Sequence, residues 1–155
     1  MVELITDRTQ YHVTLLNRLR KKTWSEMTVS EKSVWYGEAA KGAYNHTDLN
    51  RVETAVAELA GMLGLALVTK TDWTVWDIPV LADMERYLSN VAAIRDACPG
   101  DVEFPTLPDS MSGLTYVGAN RIEEVLSLVY RSLDSGEENT DYTIRCGDVY
   151  SGEVI

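Results

Sequence analysis

The chain predicts a mainly α fold of about five amphipathic helices with an internal helix repeat, followed by a short C-terminal β-rich arm. Three observations carry this. Apolar residues recur at steps of three and four over much of the sequence, as one buried face of a helix requires. Asn50-Arg51-Val52-Glu53 is echoed seventy positions later by Asn120-Arg121-Ile122-Glu123, and each string opens an apolar seam. The last fourteen residues change character, alternating apolar with polar and repeating a Gly-acid-Val unit at Gly147 to Val149 and Gly152 to Val154. The expected division is a helical domain over 1–133, an acidic linker over 134–141 and the arm over 142–155.

Val2 to Ile5 alternates weakly and predicts a short strand, after which Thr6 or Asp7 can cap a first helix reaching about Lys22. Thr28-Val29-Ser30-Glu31 reads as a capping box, so a second helix should run from there to about Ala40. Thr47 or Asp48 is expected to cap the first echoing helix, whose seam is Leu49, Val52, Val56, Leu59 and Leu63, and Gly64 should end it in a left-handed cap. Leu65 to Asp77 is a connection closed by Ile78-Pro79, where proline suits a turn or a first helical position. A fourth helix is expected from about Val80 to Ala97 through Met84, Tyr87, Val91, Ile94 and Cys98. Pro105 and Pro108 make the next stretch an extended loop. The second echoing helix should run from about Thr115 to Leu133, with the seam Ala119, Ile122, Leu126, Val129 and Leu133. The terminal arm, lacking a partner strand in a helical chain, must pair with something: either Val2 to Ile5 in the same subunit or the sheet edge of another chain.

A chain of 155 residues fits one domain with a core of its own, since about 70% of the unfolded surface leaves water at that size. Hydrophobic residues make up 45% and charged ones 25%, which argues against disorder. The formal charge of −10 repels phosphate backbones. The basic run Arg18, Arg20, Lys21 and Lys22 falls where it complements the end of a helix dipole, so no nucleic-acid partner is expected. Cys98 and Cys146 match no metal or redox spacing and read as free thiols of a reducing compartment. No apolar run approaches the ~20 residues that cross a bilayer, and the opening residues lack the order of a signal peptide. Folding in a cytoplasm, without a membrane partner, is the expectation.

Chemistry is scarce in the sequence. Only His12 and His46 are present, and His46-Thr47-Asp48 is accounted for by a turn before a capping aspartate, so no metal and no cofactor are expected. The zinc-protease, hydrolase-elbow and nucleotide-loop signatures are absent, and no catalytic residue is assigned. Glu53, Glu58, Glu123 and Glu124 are expected on the solvated outer faces of their helices. Among the four tryptophans, Trp73 and Trp76 lie three apart in a connection rather than on a helix face. Tryptophan rings are expected mainly as core anchors between packed elements; these two are the pair more open to partial exposure, and so the candidates for stacking on a ligand such as a sugar.

Several strings resemble small proteins encoded in phage and prophage structural modules of Gram-positive bacteria. They are Lys41 to Asn45 with Thr47 to Glu53, Thr71 to Thr74 with Asp77 to Pro79, Asp83 to Val91, and Leu114 to Tyr116 with Ala119-Asn120 and Ile122-Glu123; the ending Tyr150 to Glu153 is similar too. The resemblance implies a non-enzymatic virion component of the tail or tail tip, made in the host cytoplasm, whose partners are other virion proteins and further copies of itself. The arm, through Tyr142, Ile144, Val149, Tyr150 and Val154, is the expected assembly contact. The alternative is a module that binds host-surface glycans through Trp73 and Trp76.

Overall fold

A computed structural model describes residues 1–135 with their side chains, carries the backbone of the last helix on to Glu153, and leaves 154–155 undescribed. Five α-helices form: α1 (Gln10–Leu19), α2 (Val29–Tyr36), α3 (His46–Leu63), α4 (Leu81–Asp96) and α5 (Tyr116–Glu153), with a 3-10 turn, η1 (Ala40–Gly42), before α3. Among the described residues there is no strand. Val2 to Ile5 joins no ladder; the Ile5 N–H donates to Glu123 of α5 and the Ile5 carbonyl accepts from Arg8.

The two echoing seams do what their periodicity predicts. Val52, Val56 and Leu59 of α3 face Ile122, Leu126 and Val129 of α5, all buried, and Tyr87, Val91 and Ile94 of α4 close the third side. Full burial of each such side chain contributes about 1.5–3 kcal/mol. Where polar tips enter this core they find partners. The hydroxyls of Tyr44 and Tyr87 bond each other, and the Tyr130 hydroxyl donates to Glu58 at 2.6 Å. Burial, and then the neighbouring tyrosine, pushes the Tyr87 hydroxyl well above its ordinary pKa. The proline-rich stretch after α4 has no regular structure, but Phe104, Leu107, Met111 and Leu114 tuck against the same core. A second, smaller cluster of Leu15, Leu16, Leu19, Met27 and Ala39 joins α1 to α2.

Helix boundaries are tighter than the sequence suggests at several ends. α1 begins only at Gln10, because Thr9 is its N-cap and donates its backbone N–H to His12 Nδ1 at 2.9 Å. α2 stops at Tyr36 and the chain tightens into η1 rather than continuing to Ala40. Asn45 caps α3 in place of Thr47 or Asp48: its side chain accepts from the Thr47 N–H while the Asp48 carboxylate accepts from the Asn45 N–H. The Thr28–Glu31 capping box and the left-handed Gly64 cap form as expected. The bounds of α5 take in residues that the alternation assigns to the linker and the β-rich arm. Tyr142, Ile144, Val149, Tyr150 and Val154 lie outside the residues described with their side chains.

Gly42 marks the closest approach of two backbones. A Cβ there would sit 2.3 Å from the His12 carbonyl oxygen, whereas one at Gly61, on the open side of α3, would meet nothing within 4 Å. Gly42→Ala is therefore expected to cost about 1–3 kcal/mol by forcing η1 off α1. Gly61→Ala should be neutral or stabilise by up to about 1 kcal/mol through helix propensity. Urea denaturation of both variants checks the pair, and equal midpoints would contradict the packing.

Candidate functional site

The unusual chemistry of the molecule lies in the two echoed strings. Glu53 and Glu123 were expected on solvated faces; they are 1% and 0% exposed. A buried carboxylate is tolerated only when it is bonded and its charge compensated, and both are. Asn120 grips the backbone of one residue in the extended N-terminal segment: its Oδ1 accepts from the Arg8 N–H at 3.1 Å and its Nδ2 donates to the Arg8 carbonyl at 2.8 Å. One helical turn on, Glu123 accepts from the Ile5 N–H at 2.6 Å. Asn50 and Glu53 repeat this on the connection after α3. Asn50 accepts from the Trp73 N–H at 2.7 Å and donates to the Trp73 carbonyl at 2.8 Å, and Glu53 accepts from the Lys70 N–H at 2.9 Å.

Each Asn-x-x-Glu pair therefore clamps two backbone positions three residues apart in an extended segment. The spacing is what a helix allows, since i and i+3 project from one face. The pairing is crossed. The segment before α1 seats on α5, late in the chain, and the segment before α4 seats on α3, in the first half.

Cations complete both clamps. Arg86 of α4 reaches Glu53 with both terminal nitrogens, at 2.7 and 2.8 Å, and also bonds the Val68 carbonyl, as does Asn90. Its hydrogen bonds to Glu53 hold the Arg86 pKa above the ordinary value. Glu123 receives Arg51 through Nε at 2.9 Å and Nη2 at 2.7 Å, with Arg8 Nη2 at 2.7 Å. Both arginines also bond Asp48, which is buried beside them. Burial opposes the Arg51 charge, yet the bonds from Glu123 and Asp48 outweigh it and leave its pKa raised. The echo is unequal here, since Arg121, the counterpart of Arg51, is exposed. The side chain of the clamped residue also donates to the carboxylate in each case: Arg8 to Glu123, and Trp73 Nε1 to Glu53 at 3.4 Å.

Trp73, a candidate for stacking on a ligand, is accordingly 5% exposed, with the Lys70 ammonium over its face at 4.6 Å. Its ring is an anchor in the core and has no free face for a ligand. Trp76 is 89% exposed and belongs to a run of exposed apolar side chains with Val75, Ile78, Val80 and Leu81. Beside Val80 and Leu81 opens a groove of about 1000 Å³ lined by Leu16, Trp35, Tyr44, Met84 and Leu114, with Arg20 among its borders. His12 is buried and bonds Glu38 at 2.9 Å through Nε2; His46 opens α3. Among the described residues no three His, Cys, Asp or Glu side chains are grouped to hold a metal, and no helix is long and apolar enough to cross a membrane.

Comparison with family models, with curated proteins and with solved structures finds no match.

Replacing Glu123 by Gln should cost about 3–5 kcal/mol, because Arg8 and Arg51 keep their buried charges after losing an anionic partner. Glu124→Gln, one position on and exposed, should change stability by less than about 0.5 kcal/mol. Chemical denaturation of the two variants separates a clamp from a solvated face; similar losses would contradict the clamp.

Proposed function

We propose that this is a non-enzymatic structural or adaptor protein that works through contacts with other chains, with Tyr142 to Ile155 as its assembly contact. The observation that carries the reading is a run of five exposed apolar side chains, Val75, Trp76, Ile78, Val80 and Leu81, the last two of which line an open groove. Contiguous exposed apolar surface of this kind marks a site of association. The buried acids that could otherwise suggest acid–base work are bonded to Arg8, Arg51 and Arg86 and to backbone N–H groups, which commits them to holding the fold. The resemblance to phage structural-module proteins supports placement in a virion, in the tail or tail tip. The partners are then other virion proteins and further copies of the chain.

Trp76 supports a second reading. An aromatic ring almost wholly in water can stack on the apolar face of a sugar, which would make this run a reader of host-surface glycans. Trp24, half-exposed in an edge-to-face pair with Tyr36, is a second ring open to water.

Deleting Tyr142 to Ile155 should leave the cooperative melting of the body in place and abolish incorporation into particles. A truncated chain that still incorporates would overturn the assembly role of the arm. Titrating tryptophan fluorescence with host wall polysaccharide decides the second reading: a shift absent in Trp76→Ala supports it, and no change at saturating polysaccharide removes it.

A further inference from the structure

Four-residue strings of one pattern occur three times in the chain: Thr6-Asp7-Arg8-Thr9, Thr71-Asp72-Trp73-Thr74 and Thr140-Asp141-Tyr142-Thr143. The first two are the clamped segments. In each, the third residue is gripped through its backbone by an asparagine, and its side chain is a hydrogen-bond donor that reaches the buried glutamate. Tyrosine keeps that donor. The third string thus carries the features by which the other two are read, while both Asn-x-x-Glu faces among the described residues are already filled by segments of their own chain.

We propose that Thr140 to Thr143 of one copy of the chain docks on the Asn120/Glu123 face of a second copy, in place of that copy's Thr6 to Thr9, with the Asn139 N–H taking the place of the Ile5 N–H at Glu123. The inference rests on the assembly role proposed for the C-terminal arm and names its receiver, with the docking string reaching two residues ahead of it.

Three features favour this seat over the one on α3. The seat on α3 holds the Trp73 ring in the main core, whereas the segment on α5 contributes only the partly buried Val2 and Leu4. A cleft of about 500 Å³ runs beside Glu3 to Asp7 and reaches Lys41 and Arg51, so the segment is not sealed from outside. Arg51 already bonds both Glu123 and Asp48, so each carboxylate keeps one arginine bond when Arg8 leaves. Charge is matched as well. Asp7 pairs with Lys41 at 2.7 Å on the rim of the seat, and Asp141 occupies the same place in the pattern.

Main-chain recognition explains how Arg, Trp and Tyr can share one kind of seat: asparagine bonds the N–H and C=O of any residue. Docking requires residues 140–143 to be extended rather than wound into α5. Thr, Asp and Tyr are weak helix formers, which keeps that change small. The third string lacks the apolar lead-in that Val2 and Leu4 give the first, so exchange between copies is reversible rather than locked.

The test adds a fluorescein-labelled peptide of residues 138–145 to the full chain and follows polarisation and amide hydrogen exchange together. Binding should raise exchange at the Ile5 and Arg8 amides by roughly tenfold or more while Lys70 and Trp73 stay protected. A peptide with Thr140 to Thr143 scrambled should bind roughly tenfold more weakly or not at all. Absence of binding, equal binding of the scrambled peptide, or binding that leaves Ile5 and Arg8 protected would overturn the exchange. The particle-incorporation result for the arm deletion stands apart from all three outcomes, so the two ideas fail separately.

Discussion

Two carboxylates without solvent are the constraint around which the molecule is arranged. Glu53 and Glu123 each require backbone donors and at least one arginine within bonding distance, and meeting that requirement fixes where five separate parts of the chain must lie. α3 is tied to α4 through Glu53 and Arg86. α3 is tied to α5 through Arg51 and Glu123, and the two extended segments are pinned to the helices through Ile5, Arg8, Lys70 and Trp73. Apolar seams alone would allow the three central helices to slide or rotate against one another. Charged bonds with fixed geometry select one register among those arrangements.

The energy of such pairs is easily misread. Desolvating an arginine and a glutamate costs several kcal/mol for each ion, and their attraction roughly offsets this when the geometry is good. The clamps therefore add specificity more than net stability, and the main stabilisation remains the buried apolar faces of α3, α4 and α5. One sign of imperfect compensation is Arg8 Nε, which is buried without a protein partner. The clamp on α3 is more complete, having a bidentate arginine and a core ring, and the two halves of the molecule are correspondingly unequal.

Most of the helical layout is legible in the amino-acid sequence because it depends on periodicity, which survives without knowledge of neighbours. The seams of α3 and α5, the α4 stripe, the Thr28 box and the Gly64 cap are all of this kind. What could not be read is which polar residues turn inward. Glu53 sits next to Val52 on α3, at the edge of the apolar stripe, and its burial is decided by Arg86 and by the Lys70 N–H, one far along the chain and the other invisible as a side-chain pattern. A signal existed in the echo itself: solvated faces do not require the same asparagine and glutamate at the same register in two helices. Trp73 and Trp76 could not be told apart for a related reason, since which of two tryptophans in a connection anchors the core is unknown until the helix that grips its backbone is known. Helix ends shifted where a local side chain competed for the cap, as Asn45 does ahead of Asp48.

The proposed role as a contact protein, with phage tail placement as its specific form, is compatible with this architecture. A body whose segments are held by main-chain recognition can accept a similar segment from elsewhere without a new binding surface, and the exposed apolar side chains between Val75 and Leu81 are the proposed second place for association. The central physical claim is that Asn50, Glu53, Asn120 and Glu123 hold the backbone of two non-helical segments in place, more firmly on α3 than on α5. Native-state hydrogen exchange of the full chain measures this directly. The amides of Lys70 and Trp73 should exchange at rates set by global unfolding, like those of Val56 and Leu126, and those of Ile5 and Arg8 faster than these but well below the rate of an open loop; exchange at all four at the rate of an open loop would contradict the account.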